Sequence, residues 1–270
     1  MHRPRLSIIS SSAAVLHEHF DEKRIALLKR KVVMSGEWKS PPIVAPFSEH
    51  RYFVLDGANR TKTMQALEVP HMLVQVVDYA DPLITLSSWN HVMQLSIEEM
   101  LSTLSDVTFE PHPLSSATAL FASGDALMYL CDRSGKTQVL RNHADTVTRL
   151  ALLNKIVDAY EGASLIQRTE QFNVTAFNEL SNDWRTLVVF PMFTKADLVT
   201  VITNGDVFPS GITRHLIPGR ALRVNIPMAL LNDPSYTIEQ KQAQVDEILA
   251  ERYESNRVRL YPEGIYLFDE

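Results

Sequence analysis

Short aliphatic runs alternate along this chain with stretches whose apolar positions recur every three or four residues, the signature of strands interleaved with helices. "RLSIIS" (5–10) predicts a strand, and "DEKRIALLKRKVVM" (21–34) predicts a helix. In that helix Asp21 is the expected N-cap, and Ile25, Leu28 and Val32 lie along one face. "PPIVAPF" and "YFVLD" flank the polar turn "SEHR", a pattern that suits a hairpin. "TKTMQALE" predicts a helix with Met64 and Leu67 at core spacing, and "HMLVQVVDYA" and "LITLSSWNHV" read as strands split by an Asp-Pro break at 81–82. "SIEEMLSTL" has the acidic first turn of a helix start after Ser96. "SDVTFEPHPLSS" is the most loop-like stretch of the first half, which places a domain boundary near residue 105. Beyond it the pattern predicts a strand at 126–132, a helix at 143–160 and a strand at 164–168. A helix, strand and helix follow in "TAFNEL", "RTLVVF" and "TKADLVTVITNG", the last capped by Thr194 with Asp197 and ended by Gly205.

The sum of these elements is a mixed α/β chain. Its 270 residues suffice for two domains, 1–105 and 106–270, each with a core. Hydrophobic residues make up 45% and charged residues 21%, which argues against disorder. The net charge of -6 weighs against a duplex-DNA binder, which needs a basic surface. One cysteine, Cys131, excludes a disulfide framework and reads as a core thiol. His71, His112 and His143 are too scattered to suggest a metal, and Lys195 in a helix first turn reads as surface. No apolar run approaches a membrane span and the amino end makes a poor signal peptide, so a cytoplasmic protein is expected.

The chemistry concentrates in "YFVLDGANRTKTMQAL" (52–67), where a strand meets Asp-Gly and a helix begins at once. That geometry turns unpaired backbone N–H groups and the positive helix end toward a ligand. Gly57 allows close backbone approach to a phosphate, Arg60 offers a fork of donors, and Asp56 could hold a magnesium ion. The same letters also describe a plain β-to-α connection, with Asn59 as N-cap and Arg60 in solvent.

Taken with "VPHMLVQVVD", this turn resembles the ParB/sulfiredoxin-like superfamily, which binds nucleotide phosphates there. Residues 56–60 hold no cysteine, unlike sulfiredoxin. Adding "LHEHF" (16–20), "LSSWNH" (86–91) and "GDVFPSGITRHLIPGR" (205–220), the ordered set resembles the free L-serine kinases. These ParB-like enzymes use ADP or ATP to make O-phospho-L-serine, and the match looks nearer to the branch in staphyloferrin B siderophore biosynthesis. The resemblance implies an N-terminal ParB-like nucleotide domain, a C-terminal α/β domain and a cleft between them. It also implies Glu18 as general base, beside His17, and a nucleotide site of Asp56, Gly57, Asn59 and Arg60 with Ser35 and Gly36 in a covering loop. Trp89 and His91 would wall the serine pocket, and Thr213, Arg214 and His215 would return to it. The family usually has histidine where this chain has Asn59, which can donate a hydrogen bond but carries no charge.

Each of these residues also has an ordinary structural reading: Ser35–Gly36 as a helix end, Trp89 as a half-buried strand residue, Arg214 on a surface turn, and His17–His19 in a solvated loop. The implied partners are L-serine, a nucleotide with ATP or ADP as donor, and Mg²⁺. The competing class is a ParB-like nucleotide-binding transcriptional regulator that contacts DNA, or a ligand sensor without catalysis; the acidic balance counts against DNA contact. A homologue that binds serine without catalysis is a third reading, motivated by Asn59.

Overall fold

A computed structural model describes residues 3–142, 145–170 and 173–261; His143 lies outside them. The chain divides into two compact units. The first takes the residues up to Leu16, Phe20–Thr85 and those from Ile217 on; the second takes His17–His19 and Leu86–Leu216.

The first unit opens with β1 (Leu6–Ser10), a 3₁₀ turn and β2 (Ala14–Leu16). It continues through α1 (Glu22–Ser35), β3 (Glu37–Trp38), β4 (Ile43–Ser48), β5 (Arg51–Asp56), α2 (Ala58–Ala66) and β6 (His71–Val76). Five strands form one mixed sheet in the order β1-β6-β4-β5-β2. The hairpin expected from "PPIVAPF" and "YFVLD" is the antiparallel β4–β5 pair. Asp21 caps α1 as its sequence predicts, its side chain accepting from the backbone N–H groups of Lys23 and Arg24. Ile25 and Val32 are the buried residues of α1, and Met64 is fully buried on α2.

The middle of the chain builds the second unit. Its elements are β7 (Thr85–Ser88), β8 (Asn90–Met93), α3 (Ile97–Ser102), β9 (Glu110–Pro113), α4 (Leu114–Ser123), β10 (Ala126–Asp132) and β11 (Lys136–Arg141). They are followed by α5 (Thr146–Glu161), β12 (Ile166–Thr169), α6 (Val174–Asn178), β13 (Thr186–Val189), α7 (Lys195–Asn204) and β14 (Thr213–Leu216). Six of these strands form an antiparallel sheet, ordered β12-β8-β13-β10-β11-β9. The boundary expected near residue 105 falls earlier, because β8 is an interior strand of this sheet and carries its surroundings with it. The loop-like "SDVTFEPHPLSS" contains β9 and the start of α4. Pro111 and Pro113 hide that strand in the sequence and are tolerated because β9 is the sheet's edge. Cys131 is fully buried in β10, and burial pushes its thiol up to about 12.

The carboxyl-terminal part returns to the first unit as β15 (Ile226–Pro227), α8 (Met228–Asn232) and α9 (Ile238–Glu254). Ile226 pairs with Trp38, and Ile226, Leu231 and Val245 complete the core made by Val44, Met64, Leu73 and Val74. Gln242 on α9 accepts from the Ile8 N–H of β1 at 2.7 Å, tying the last helix to the first strand.

Candidate functional site

In the first unit, β5 stops at Asp56 and α2 starts at Ala58, leaving Gly57 as the whole connection. Gly57 has φ 97, a conformation L side chains rarely adopt, and its side-chain direction is also crowded. An added Cβ would lie 2.9 Å from Arg60 Nη2 and 3.1 Å from Pro42 Cβ. Arg60 folds back over this turn, donating to Asp56 Oδ2 at 2.6 Å and to the Ser40 carbonyl at 3.1 Å. The solvated-arginine reading therefore does not hold. Arg220 Nη2 pairs with the same Asp56 oxygen. Burial pulls the Asp56 carboxyl up, but Arg60 and then Arg220 outweigh it and hold it below its usual 3.8.

One carboxylate between two guanidiniums leaves a net positive charge beside the amino end of α2, which suits a phosphate. It does not suit the magnesium role expected of Asp56, because Oδ2 is already shared by two cations. No group of three or more His, Cys, Asp or Glu placed to hold a metal occurs among the described residues.

Asn59 is half-buried, and its Oδ1 accepts from the Asp21 N–H at 2.9 Å. It thereby links the start of α2 to the capped start of α1. Ser35 and Gly36 finish α1: the Ser35 hydroxyl meets Val32 O and, past Gly36, the backbone of Glu37, and the Gly36 N–H donates to Val32 O with φ 64. The helix-end reading of that pair is the one the structure shows.

In the second unit, residues 17–19 run beside Phe208. Phe208 N–H donates to His17 O at 2.8 Å, and His19 N–H donates to Phe208 O at 2.9 Å. This register places Glu18 against Thr213, whose hydroxyl donates to Glu18 Oε2 at 2.8 Å. His17 Nε2 lies 2.8 Å from the same hydroxyl oxygen. Since that hydroxyl has one proton and gives it to Glu18, His17 must be the donor, with a proton on Nε2. The His17 ring meets the His215 ring edge-on at 5.4 Å. Thus Glu18, near the amino end, and the Thr213–His215 segment, nearly two hundred residues later, are hydrogen-bonded neighbours.

Trp89 belongs to the same unit, its N–H bonded to Ile212 O at 3.0 Å. The Arg214 guanidinium stacks over the Trp89 ring at 4.4 Å and pairs with Glu170 Oε1 at 2.6 Å. His91 differs from the pocket wall expected of it. It is 2% exposed, and both ring nitrogens are used: Nδ1 accepts from the Tyr160 hydroxyl at 2.8 Å, and Nε2 donates to Gly211 O at 3.1 Å. Desolvation, with a smaller contribution from the Arg168 charge, lowers His91 to about 4 against the Gly211 hydrogen bond, so it is neutral. That tautomer matches a fixed support for the turn before Thr213. Glu170 and Tyr160 carry part of this arrangement without any sequence signal, since each is an ordinary residue until its partner is known. Arg220 of the first unit ends the 205–220 motif, where only its pairing with Asp56 gives it a role.

No family model matches the chain. Among curated proteins it is similar to the ATP-dependent L-serine kinase SbnI of Staphylococcus aureus, 22% identical over 268 residues, covering 98% of this chain and 97% of that one. An ATP-dependent L-serine kinase of Desulfurococcus mucosus is 22% identical over 243 residues, covering 83% and 90%. Among solved structures, SbnI with a C-terminal truncation superposes with a TM-score of 0.73 at 21% identity, over 92% of this chain and 97% of that one. A free serine kinase in complex with AMP gives 0.74 at 16% identity, over 85% and 95%. The fold is that of the free serine kinases. The resemblance carried by four short motifs extends along nearly the whole chain.

On the free serine kinase fold, the residues singled out in the sequence fall into two groups. Asp56, Gly57, Asn59 and Arg60 share the turn of the first unit, and Ser35 and Gly36 close α1 in that unit. His17, Glu18, Trp89, His91, Thr213, Arg214 and His215 are together in the second.

Proposed function

We propose that this protein is an ATP-dependent kinase of free L-serine, giving O-phospho-L-serine and ADP. The observation that carries the reading is the hydrogen-bonded set His17–Thr213–Glu18, which holds one carboxylate oxygen in place in a fold shared with serine kinases. Glu18 is the general base. It takes the proton of the serine hydroxyl as that oxygen bonds to the γ-phosphorus, and the bridging bond to the β-phosphate breaks, with the electron pair leaving on ADP. Thr213 donates to Oε2 and fixes the carboxylate's rotamer, leaving Oε1 for the substrate, while His17 fixes Thr213. Among solved structures is a free serine kinase with a glutamate replaced by glutamine, in complex with AMP, which is in keeping with this reading.

The Gly57 turn is the nucleotide's phosphate site. Its N–H groups and the Asp56–Arg60–Arg220 cluster supply donors and net positive charge. Magnesium accompanying the nucleotide would add charge neutralisation to the phosphates; no step here is assigned to a metal held by Asp56. The pathway use implied by the sequence resemblance is siderophore assembly, and the cytoplasm, where ATP is available, is the site of action.

The test is product analysis. Purified protein with L-serine, Mg²⁺ and either ATP or ADP should yield phosphoserine with ATP, and Glu18→Gln should lower turnover by about 10²–10⁴-fold with nucleotide binding retained. Absence of phosphoserine above the Glu18→Gln background with either nucleotide would overturn the assignment.

A further inference from the structure

A second arginine stands beside the Thr213 segment. Arg168 is exposed on β12, directly across from His91 of β8. Its guanidinium lies flat on Gly211, where an added Cβ would come within 2.0 Å of Nη2 and 2.1 Å of Cζ and Nε. Gly211 has φ +67, so glycine is suited to the position by backbone and by space alike. The Gly211 carbonyl is held from the other side by His91 Nε2. Two residues on is Thr213, at most about 7 Å away along the chain, and Thr213 is bonded to Glu18.

The two arginines differ in how their charge is matched. Arg214 is neutralised by Glu170 at 2.6 Å and stacked on Trp89. Arg168 forms no ion pair among the described residues. A free amino acid brings a carboxylate that never reacts, and a guanidinium not already matched by an anion can give it its full charge-assisted hydrogen bonds. We infer that Arg168 is the residue that recognises the carboxylate of the amino-acid substrate, positioned for it by Gly211. Arg214, paired and stacked, shapes the wall beside it. This assignment rests on the serine kinase reading.

The test compares L-serine with ethanolamine, which keeps the hydroxyl and ammonium and lacks the carboxylate. Arg168→Ala should raise the KM for L-serine by roughly 10–100-fold, the value of a charge-assisted hydrogen bond, with kcat and nucleotide affinity little changed. Ethanolamine, as substrate or competitor, should be unaffected, so the preference for L-serine collapses. Arg168→Lys should recover part of it. Gly211→Ala, which displaces the guanidinium, should give the same loss, and the double variant should lose no more than either single one. Thermal unfolding of Arg168→Ala should match the unsubstituted protein, which separates recognition from folding.

An unchanged ratio of L-serine to ethanolamine in Arg168→Ala, in an active enzyme, overturns the assignment and leaves the kinase reading standing. Should the unsubstituted protein make no phosphoserine, the kinase reading fails by itself. Calorimetric titration of L-serine then decides the Arg168 assignment: no binding to the unsubstituted protein, or equal binding to Arg168→Ala, overturns it.

Discussion

The Thr213 hydroxyl gives its one proton to a carboxylate and accepts another from an imidazole, so its position dictates both of theirs. Removing the hydroxyl while keeping the shape, Thr213→Val, should leave Glu18 free to rotate and lower kcat by roughly 10–100-fold, the value of one charge-assisted bond. Thr213→Ser should restore most of the rate, and steady-state kinetics on the pair distinguish the hydroxyl from the packing. His91 makes a different contribution, through stability. Its pKa in the fold is lowered to about 4 from 6.5, so between those values the unfolded chain holds the extra proton. The stabilisation is therefore complete above pH 6.5 and is lost as pH falls toward 4, a change of roughly 3 kcal/mol. We expect thermal unfolding to show that decline and His91→Gln to flatten it in the same window. A slope unchanged in the variant would assign the pH dependence to other groups.

At the scale of elements, the strand-turn-helix around Gly57 concentrates two demands on one residue: a positive φ and no side chain. Gly57→Ala should cost about 1–3 kcal/mol of stability from strain alone. It should also weaken ATP binding by pushing Arg60 away from Asp56, measured by calorimetry alongside melting. Retained nucleotide affinity in a folded Gly57→Ala protein would remove the phosphate role from this turn. Local elements were legible wherever the signal is local. The α1 cap at Asp21, the acidic first turn after Ser96, the capping box at Thr194, the β4–β5 hairpin and the glycine ending α7 are all features of residues a few positions apart. The edge strand β9 was not legible, because its two prolines carry the signal of a loop and only its place at the sheet's margin makes them acceptable.

The molecule as a whole returns its last helix to its first strand. Val245 of α9 is fully buried and Gln242 bonds to β1, so the first unit requires both ends of the chain. A protein ending before Thr237 should expose the apolar core around Ile8, Leu73 and Val74 and lose several kcal/mol, since each buried aliphatic side chain left unmatched costs about 1.5–3 kcal/mol. Limited proteolysis with assigned fragments would show cleavage appearing in β1 and β6, while the six-stranded sheet of the second unit stays protected. Equal protection of both units would mean that α9 is dispensable.

The order of residues alone determined the mixed α/β character, most of the helix ends, and four motifs whose succession matches the free serine kinases; these depend on spacing, propensity and backbone conformation, which act over a few residues. The partners were decided only by tertiary structure. Which oxygen Arg220 reaches, which arginine Glu170 neutralises, and why His91 is held neutral all depend on residues dozens to more than a hundred positions apart. A charge or a hydrogen-bond donor acts on whatever lies within a few ångströms of it, and that neighbourhood exists only once the strands have paired.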